Sequence, residues 1–230
     1  MKRVFLAVLI MVFLSTALIG CGDNGNVQPA QPTVTTQILS NAGNDGDIAL
    51  TTTASFTITQ GNTQTVFAGI NPSTGTEYRA FLDFPLTGVD GVPGNAVIVS
   101  AFLDIYIDSI LLQASGDAIP IRIDLVDIQP PYPLLDSDFY RSGSISTAPA
   151  LATTIVPPIS LSSLSASKNY VTVDVTSLMV QAQNLLLPDF QVRILEDNSV
   201  LGIPPGLIEI DDRTGQNRDL YAPLLLVTYY

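Results

Sequence analysis

The groups in this sequence that carry chemistry are carboxylates, a scatter of tyrosines and phenylalanines, and one cysteine. Aspartate and glutamate number 21 against nine lysines and arginines, and histidine is absent. Paired carboxylates are the machinery of glycoside cleavage. Here, however, Asp104, Asp108 and Asp124 alternate with apolar residues, and Asp127 closes such a run. That alternation predicts solvated strand faces rather than a perturbed pair in a cleft. Without histidine the chain holds no Ser-His-Asp or Cys-His arrangement and no His-built zinc site. Hydrolase and lyase readings are disfavoured, and no enzyme is expected. One cysteine leaves no internal disulfide. Asn44-Asp45-Gly46-Asp47 and Asp211-Asp212 offer oxygen ligands for a structural Ca²⁺, with Asp45 and Asp47 the candidate metal residues. EF-hand spacing is absent and Asn-Asp-Gly is equally a turn sequence, so the expectation is no cofactor beyond that Ca²⁺. Exposed aromatics stack on sugar faces, and the aromatic candidates are Phe67, Tyr132, Phe139, Tyr140 and Tyr221, with Arg79 or Arg141 as hydrogen-bond partners. Tyr132, Tyr140 and Arg141 come first as ligand-binding residues, because residues 129–169 form an irregular excursion rich in Pro and Ser.

The single cysteine sits where its chemistry is specific. Lys2 and Arg3 precede an apolar run, Val4 to Leu14, too short to span a bilayer well. Leu18-Ile19-Gly20-Cys21 resembles the lipobox of bacterial lipoproteins. The resemblance implies a diacylglycerol on the Cys21 sulfur, cleavage after Gly20, and a lipid bilayer as partner. Residues 1–20 then form a signal peptide. Gly22 rather than Asp after the cysteine favours the outer membrane or cell surface in enteric-type sorting. Residues 21–46, rich in Gly, Asn, Gln, Pro and Thr, are expected to be a flexible tether, with the domain at 47–230. Loss of Lys2 and Arg3 takes the net charge from −12 to 7 − 21 = −14. Such a chain repels phosphate backbones, so nucleic acid is no partner.

The elements that must position these groups are strands. In Glu77–Phe84, Tyr78, Ala80, Leu82 and Phe84 share one face and Glu77, Arg79 and Asp83 the other. In Val97–Asp108 six apolar residues alternate with Ser100, Asp104 and Asp108. Further runs bring the expected number to about nine, and their apolar faces require a second sheet to cover them. The expected fold class is all-β, a two-sheet antiparallel sandwich with one short helix at Ser177–Leu187, N-capped by Thr176.

Four stretches taken together, "EYRAFLDFPL", "VPGNAVIVSAFLDIYI", "NYVTVDVTSLMVQAQN" and "PLLLVTYY", resemble the DNRLRE-type jelly-roll family, close to non-catalytic carbohydrate-binding modules. The matching positions are Arg79, Phe81 and Phe84; Pro93, Ala101, Leu103 and Tyr106; Val171, Val173, Asp174, Val175 and Thr176; and Val227, Thr228 and Tyr229. The family's Trp-containing segment is missing, with "LDSDFYRSG" in that region, and Glu209-Ile210-Asp211-Asp212 replaces its Ser-Arg-Glu. The resemblance implies a jelly-roll sandwich that binds polysaccharide at the cell envelope. The alternative is a structural or adhesive lipoprotein that binds an envelope protein through edge strands or the excursion.

Overall fold

The computed structural model describes residues 31–114, 117–129, 133–162, 164, 169–199 and 202–230. Cys21 and Tyr132 lie outside the described residues, as do the signal peptide and the tether up to residue 30.

The first half of the fold holds β1 (Val34–Leu39), β2 (Gly46–Leu50), β3 (Phe56–Gln60), β4 (Thr65–Ile70), β5 (Glu77–Pro85) and β6 (Ile98–Leu112). The second half adds β7 (Ile119–Val126), β8 (Ala152–Ile159), β9 (Tyr170–Asp174), β10 (Asp189–Glu196), β11 (Gly206–Asp211) and β12 (Leu224–Tyr229). Two short helices, α1 (Thr176–Asn184) and α2 (Arg218–Tyr221), and a 3₁₀ turn at Asp136–Phe139 complete it. The expected all-β antiparallel sandwich is therefore the fold, with twelve strands among the described residues rather than about nine.

One layer runs β1-β12-β6-β9 and the other β11-β4-β5-β10-β7-β8, with the β2–β3 hairpin attached to β5. β6 is long enough to serve both layers. Its first part pairs with β12 and β9, while Ile107–Leu112 pairs with β11 beyond a register shift at Glu209/Ile210. A bulge of this kind bends a strand and lets it turn a corner. Alternation dictates the core: Leu103, Ile105 and Ile107 of β6 meet Leu82 and Phe84 of β5, Ile121, Ile123 and Leu125 of β7, and Val192 and Ile194 of β10, all buried.

The tether boundary is corrected. The compact unit begins at Thr33, and Val34–Leu39 pairs along its length with Leu224–Tyr229. This segment reads as linker because its composition is polar; backbone hydrogen bonds to β12 and the burial of Ile38 hold it instead.

The helix is shifted as well. It starts at Thr176 itself, with Val175 rather than Thr176 at the N-cap position, and Asp174 Oδ1 accepts the Thr176 N–H at 2.9 Å. The Thr176 hydroxyl accepts the Ala101 N–H at 2.9 Å and ties the helix to β6. Beyond the last turn, Leu186 adopts φ 57°, the left-handed conformation that normally falls to glycine. Leu186→Gly is expected to raise stability by about 1 kcal/mol by removing this strain. Urea unfolding checks it, and an unchanged or lower midpoint counts against it.

Candidate ligand-binding groove

The excursion that carries the foremost sequence candidates is clamped onto the outer face of the second layer. Leu134 and Phe139 pack with Ile48 and Phe81 as a second small core, with Phe56 against it. Beside it, the fully buried Arg193 donates from Nη1 to the carbonyls of Asp138, Tyr140 and Ala148 at 2.7, 3.0 and 3.0 Å, and from Nη2 to Asp124 at 3.0 Å. Arg141 grips the same carboxylate from Nε and Nη2 at 2.7 and 2.8 Å. Asp124, expected on a solvated face, is buried, because the excursion covers this face. Burial works to raise its carboxyl. Hydrogen bonds from Arg141, Thr153 and Arg193, with the charge of Arg193, bring it below the ordinary value.

Tyr140 and Arg141 are thus occupied by the scaffold. Tyr140 is half-buried, edge-on to Phe56 at 6.1 Å and to Phe139 at 6.0 Å. Arg79 lies 3.9 Å over the Phe139 ring, donates to the Phe139 carbonyl and pairs with Glu77. Tyr221 meets Tyr106 at 4.8 Å and carries Arg213 on its face at 4.1 Å.

Asp45 and Asp47 are both buried but turn to different partners. Asp45 Oδ1 accepts the Asp83 N–H at 2.8 Å, and its carboxyl faces Asp212, itself bound by Arg218 at 3.2 Å. Burial, then the Asp212 charge, holds Asp45 well above the ordinary aspartate value. Burial raises the Asp212 carboxyl as well, against the pull of Arg218. Calcium takes six to eight oxygens. No group of three His, Cys, Asp or Glu side chains is placed for a metal among the described residues, and the Arg218 guanidinium already occupies the second carboxylate.

Asp47 leads to a different place. Between the β2–β3 hairpin and β4 lies a groove of about 500 Å³. Phe67 of β4 and Tyr78 of β5, both half-buried, stand 5.6 Å apart within it, their planes inclined at 54°. Thr51, Thr57, Thr59, Thr63, Thr65 and Thr76 surround them with hydroxyls, alongside Gln64. Asp47 Oδ2 accepts the Phe67 N–H at 3.3 Å. Burial pushes the Asp47 carboxyl up to about 6, against the pull of that hydrogen bond. Aromatic faces bordered by hydroxyl donors and acceptors present a stacking surface with polar groups at its edge, the chemistry that a sugar ring recognises.

Among the sequence candidates, the groove gathers Phe67 and Asp47. Alternation alone assigns Tyr78 to the core face of its strand and gives the threonines no role. Their signal is the run "TTTASFTITQGNTQTVF", which places Thr57 and Thr59 at alternate positions on β3 and Thr63 and Thr65 at the entry to β4.

The fold places the protein in a class, the all-β antiparallel sandwiches. No protein-family model and no curated protein matches the chain.

Proposed function

We propose that this chain is a bacterial lipoprotein, anchored through acylated Cys21, whose sandwich binds polysaccharide at the cell envelope without cleaving it. One observation carries the binding half: the Phe67–Tyr78 pair set in a groove of threonine hydroxyls. The likeness to the DNRLRE-type jelly rolls points the same way. Among the described residues Asp47 is the one acid lining the groove, whereas glycosidic cleavage takes two carboxyls, which supports binding rather than turnover. The anchor half rests on the Leu18–Cys21 motif; no helix among the described residues is long and apolar enough to cross a membrane.

Affinity electrophoresis through gels cast with a panel of envelope and environmental polysaccharides tests the binding half. Retention by at least one polysaccharide is expected. Tyr78→Ala and Phe67→Ala are each expected to weaken it about tenfold or more, equivalent to about 1.4 kcal/mol, while Tyr140→Ala leaves it unchanged. No retention, or equal retention by all variants, overturns the reading.

Partner binding through an edge strand is less well supported. β8 ends the second layer and exposes Ile155, but Pro157 and Pro158 lack the N–H groups that a docking strand would use.

A further inference from the structure

Two features of the sandwich coincide at one end. The chain enters the fold there, at Val34, whose partner Tyr229 is the last residue of β12. The Thr36 hydroxyl donates to the Asp90 carbonyl at 2.7 Å, which ties the entering strand to the loop over residues 86–97. Gln183 of α1 donates to the Ala96 carbonyl at 2.6 Å and ties the helix to the same loop. The second feature is an apolar surface on this tied unit. Val89 is fully exposed and Leu186 is 80% exposed, with Val34, Val97, Leu185 and Tyr230 also open to water. Leu86, Val92, Met179, Leu186 and Leu187 line a recess of about 290 Å³ with no charged residue in its lining among the described residues.

Leu186 is the informative member. It holds a left-handed backbone that glycine would adopt without strain, and its large apolar side chain is open to solvent. Strained residues of this kind persist where the conformation is used. Contiguous exposed apolar surface marks a protein or membrane contact. Where the anchor lies decides between them. Cys21 is thirteen residues from Val34, a span of at most about 45 Å even when fully extended. An acylated Cys21 therefore joins the domain at the same end that carries the open apolar side chains, so that lipid is the partner tethered next to them.

We infer that the end formed by the loop over residues 86–97, the last turn of α1 and the start of β1 rests on the membrane, with Val89 and Leu186 inserted into its interfacial layer. The inference rests on the anchor half of the function proposed above. Asp90 is the acid exposed on the loop and the whole chain is acidic, so insertion is apolar and the lipid surface is zwitterionic rather than anionic. The arrangement also aims the groove. β5 runs from Tyr78 in the groove to Pro85, just before Leu86 in the recess. Eight residues at about 3.3 Å each set the groove roughly 25 Å further from the bilayer, facing outward.

The chain contains no tryptophan, so single Val89→Trp and Leu186→Trp substitutions in the full-length acylated protein report without background. Thr53→Trp, in the turn between β2 and β3, is the distal control. Each is bound to phosphatidylcholine vesicles, with and without bromine on the acyl chains. Bromine is expected to quench Val89→Trp and Leu186→Trp at least twofold and to leave Thr53→Trp unchanged. If the protein floats with the vesicles but neither loop probe is quenched, or all three are quenched alike, this orientation is overturned while the anchor stands. If the protein does not float, the anchor reading fails and the orientation fails with it.

Discussion

Replacing Arg193 with methionine is expected to destabilise the domain by about 3–5 kcal/mol, the range for breaking a buried ion pair from one side. Arg193 and Asp124 are both fully buried, 3.0 Å apart, and Arg193 also satisfies three carbonyls of the excursion. Methionine keeps much of the volume but leaves those carbonyls without a donor and removes one of the two cations on Asp124. Arg141, the other, is about a third exposed and cannot restore the lost cross-link between β10 and the excursion. The double variant Arg193→Met, Asp124→Asn removes the uncompensated charge and is expected to cost less than the sum of its parts. Urea unfolding of the three variants decides the matter. A loss below about 1 kcal/mol for Arg193→Met would show that the buried pair does not clamp the excursion.

The same cluster shows where sequence reading reaches its limit. Alternation correctly separates the two faces along most of β5 and β6: Leu82 and Phe84 point to the core, as do Leu103 and Ile105. It says nothing of what lies on the opposite face. Asp124 looks solvated in sequence because nothing local reveals that a proline-rich excursion folds back across its sheet. Arg141 and Tyr140 look free for the same reason. Their partners are distant in sequence: Arg193 lies 69 residues from Asp124. β1 escapes notice because a strand that joins an existing edge needs backbone groups more than apolar side chains. The groove escapes because Tyr78 shares its face with core residues Ala80, Leu82 and Phe84 but stands where the hairpin parts from β4. Period fixes the face of a side chain, and only the topology decides whether that face is covered at a given point.

The core face and the groove also differ in electrostatics, because several carboxyls are buried without a cation. Asp47 and Glu196 are the clearest. Burial pushes Asp47 up to about 6 and Glu196 up to about 7, from 3.8 and 4.5. Glu196 accepts the N–H groups of Ile70 and Gly206, which pull the other way, and lies near Glu77, which adds to the rise. Asp83 is raised by burial too, and Asp45 by burial and Asp212.

Stability is therefore expected to rise by about 2–4 kcal/mol as the pH falls from 7.5 to 5, contrary to the acid sensitivity of most folded proteins. An acid whose pKa is higher in the folded state binds its proton more tightly there. Its stabilising contribution is complete below the unfolded value and is lost as pH climbs through the folded value. For Asp47 the window runs from 3.8 to about 6, and for Glu196 from 4.5 to about 7. Asp124 has the opposite sign: its lowered pKa contributes stability that is present above 3.8 and lost as pH falls through its folded value. The gain on acidification is therefore complete only below about pH 4, under the unfolded values of Asp47 and Glu196, and there Asp124 works against it. Glu196→Gln and Asp47→Asn each remove one titration and are expected to flatten the slope between pH 5 and 7.5, Glu196→Gln more so. Urea midpoints at pH 5, 6 and 7.5 for the native chain and both variants provide the measurement. A native chain equally stable at pH 5 and 7.5, or variants with the native slope, would show that these carboxyls are not held in the low-dielectric setting described. Asp47 also lines the groove, so its proton is expected to bind as the groove's polarity changes. Polysaccharide retention that differs between pH 5 and 7.5 in the native chain but not in Asp47→Asn would tie that titration to the ligand.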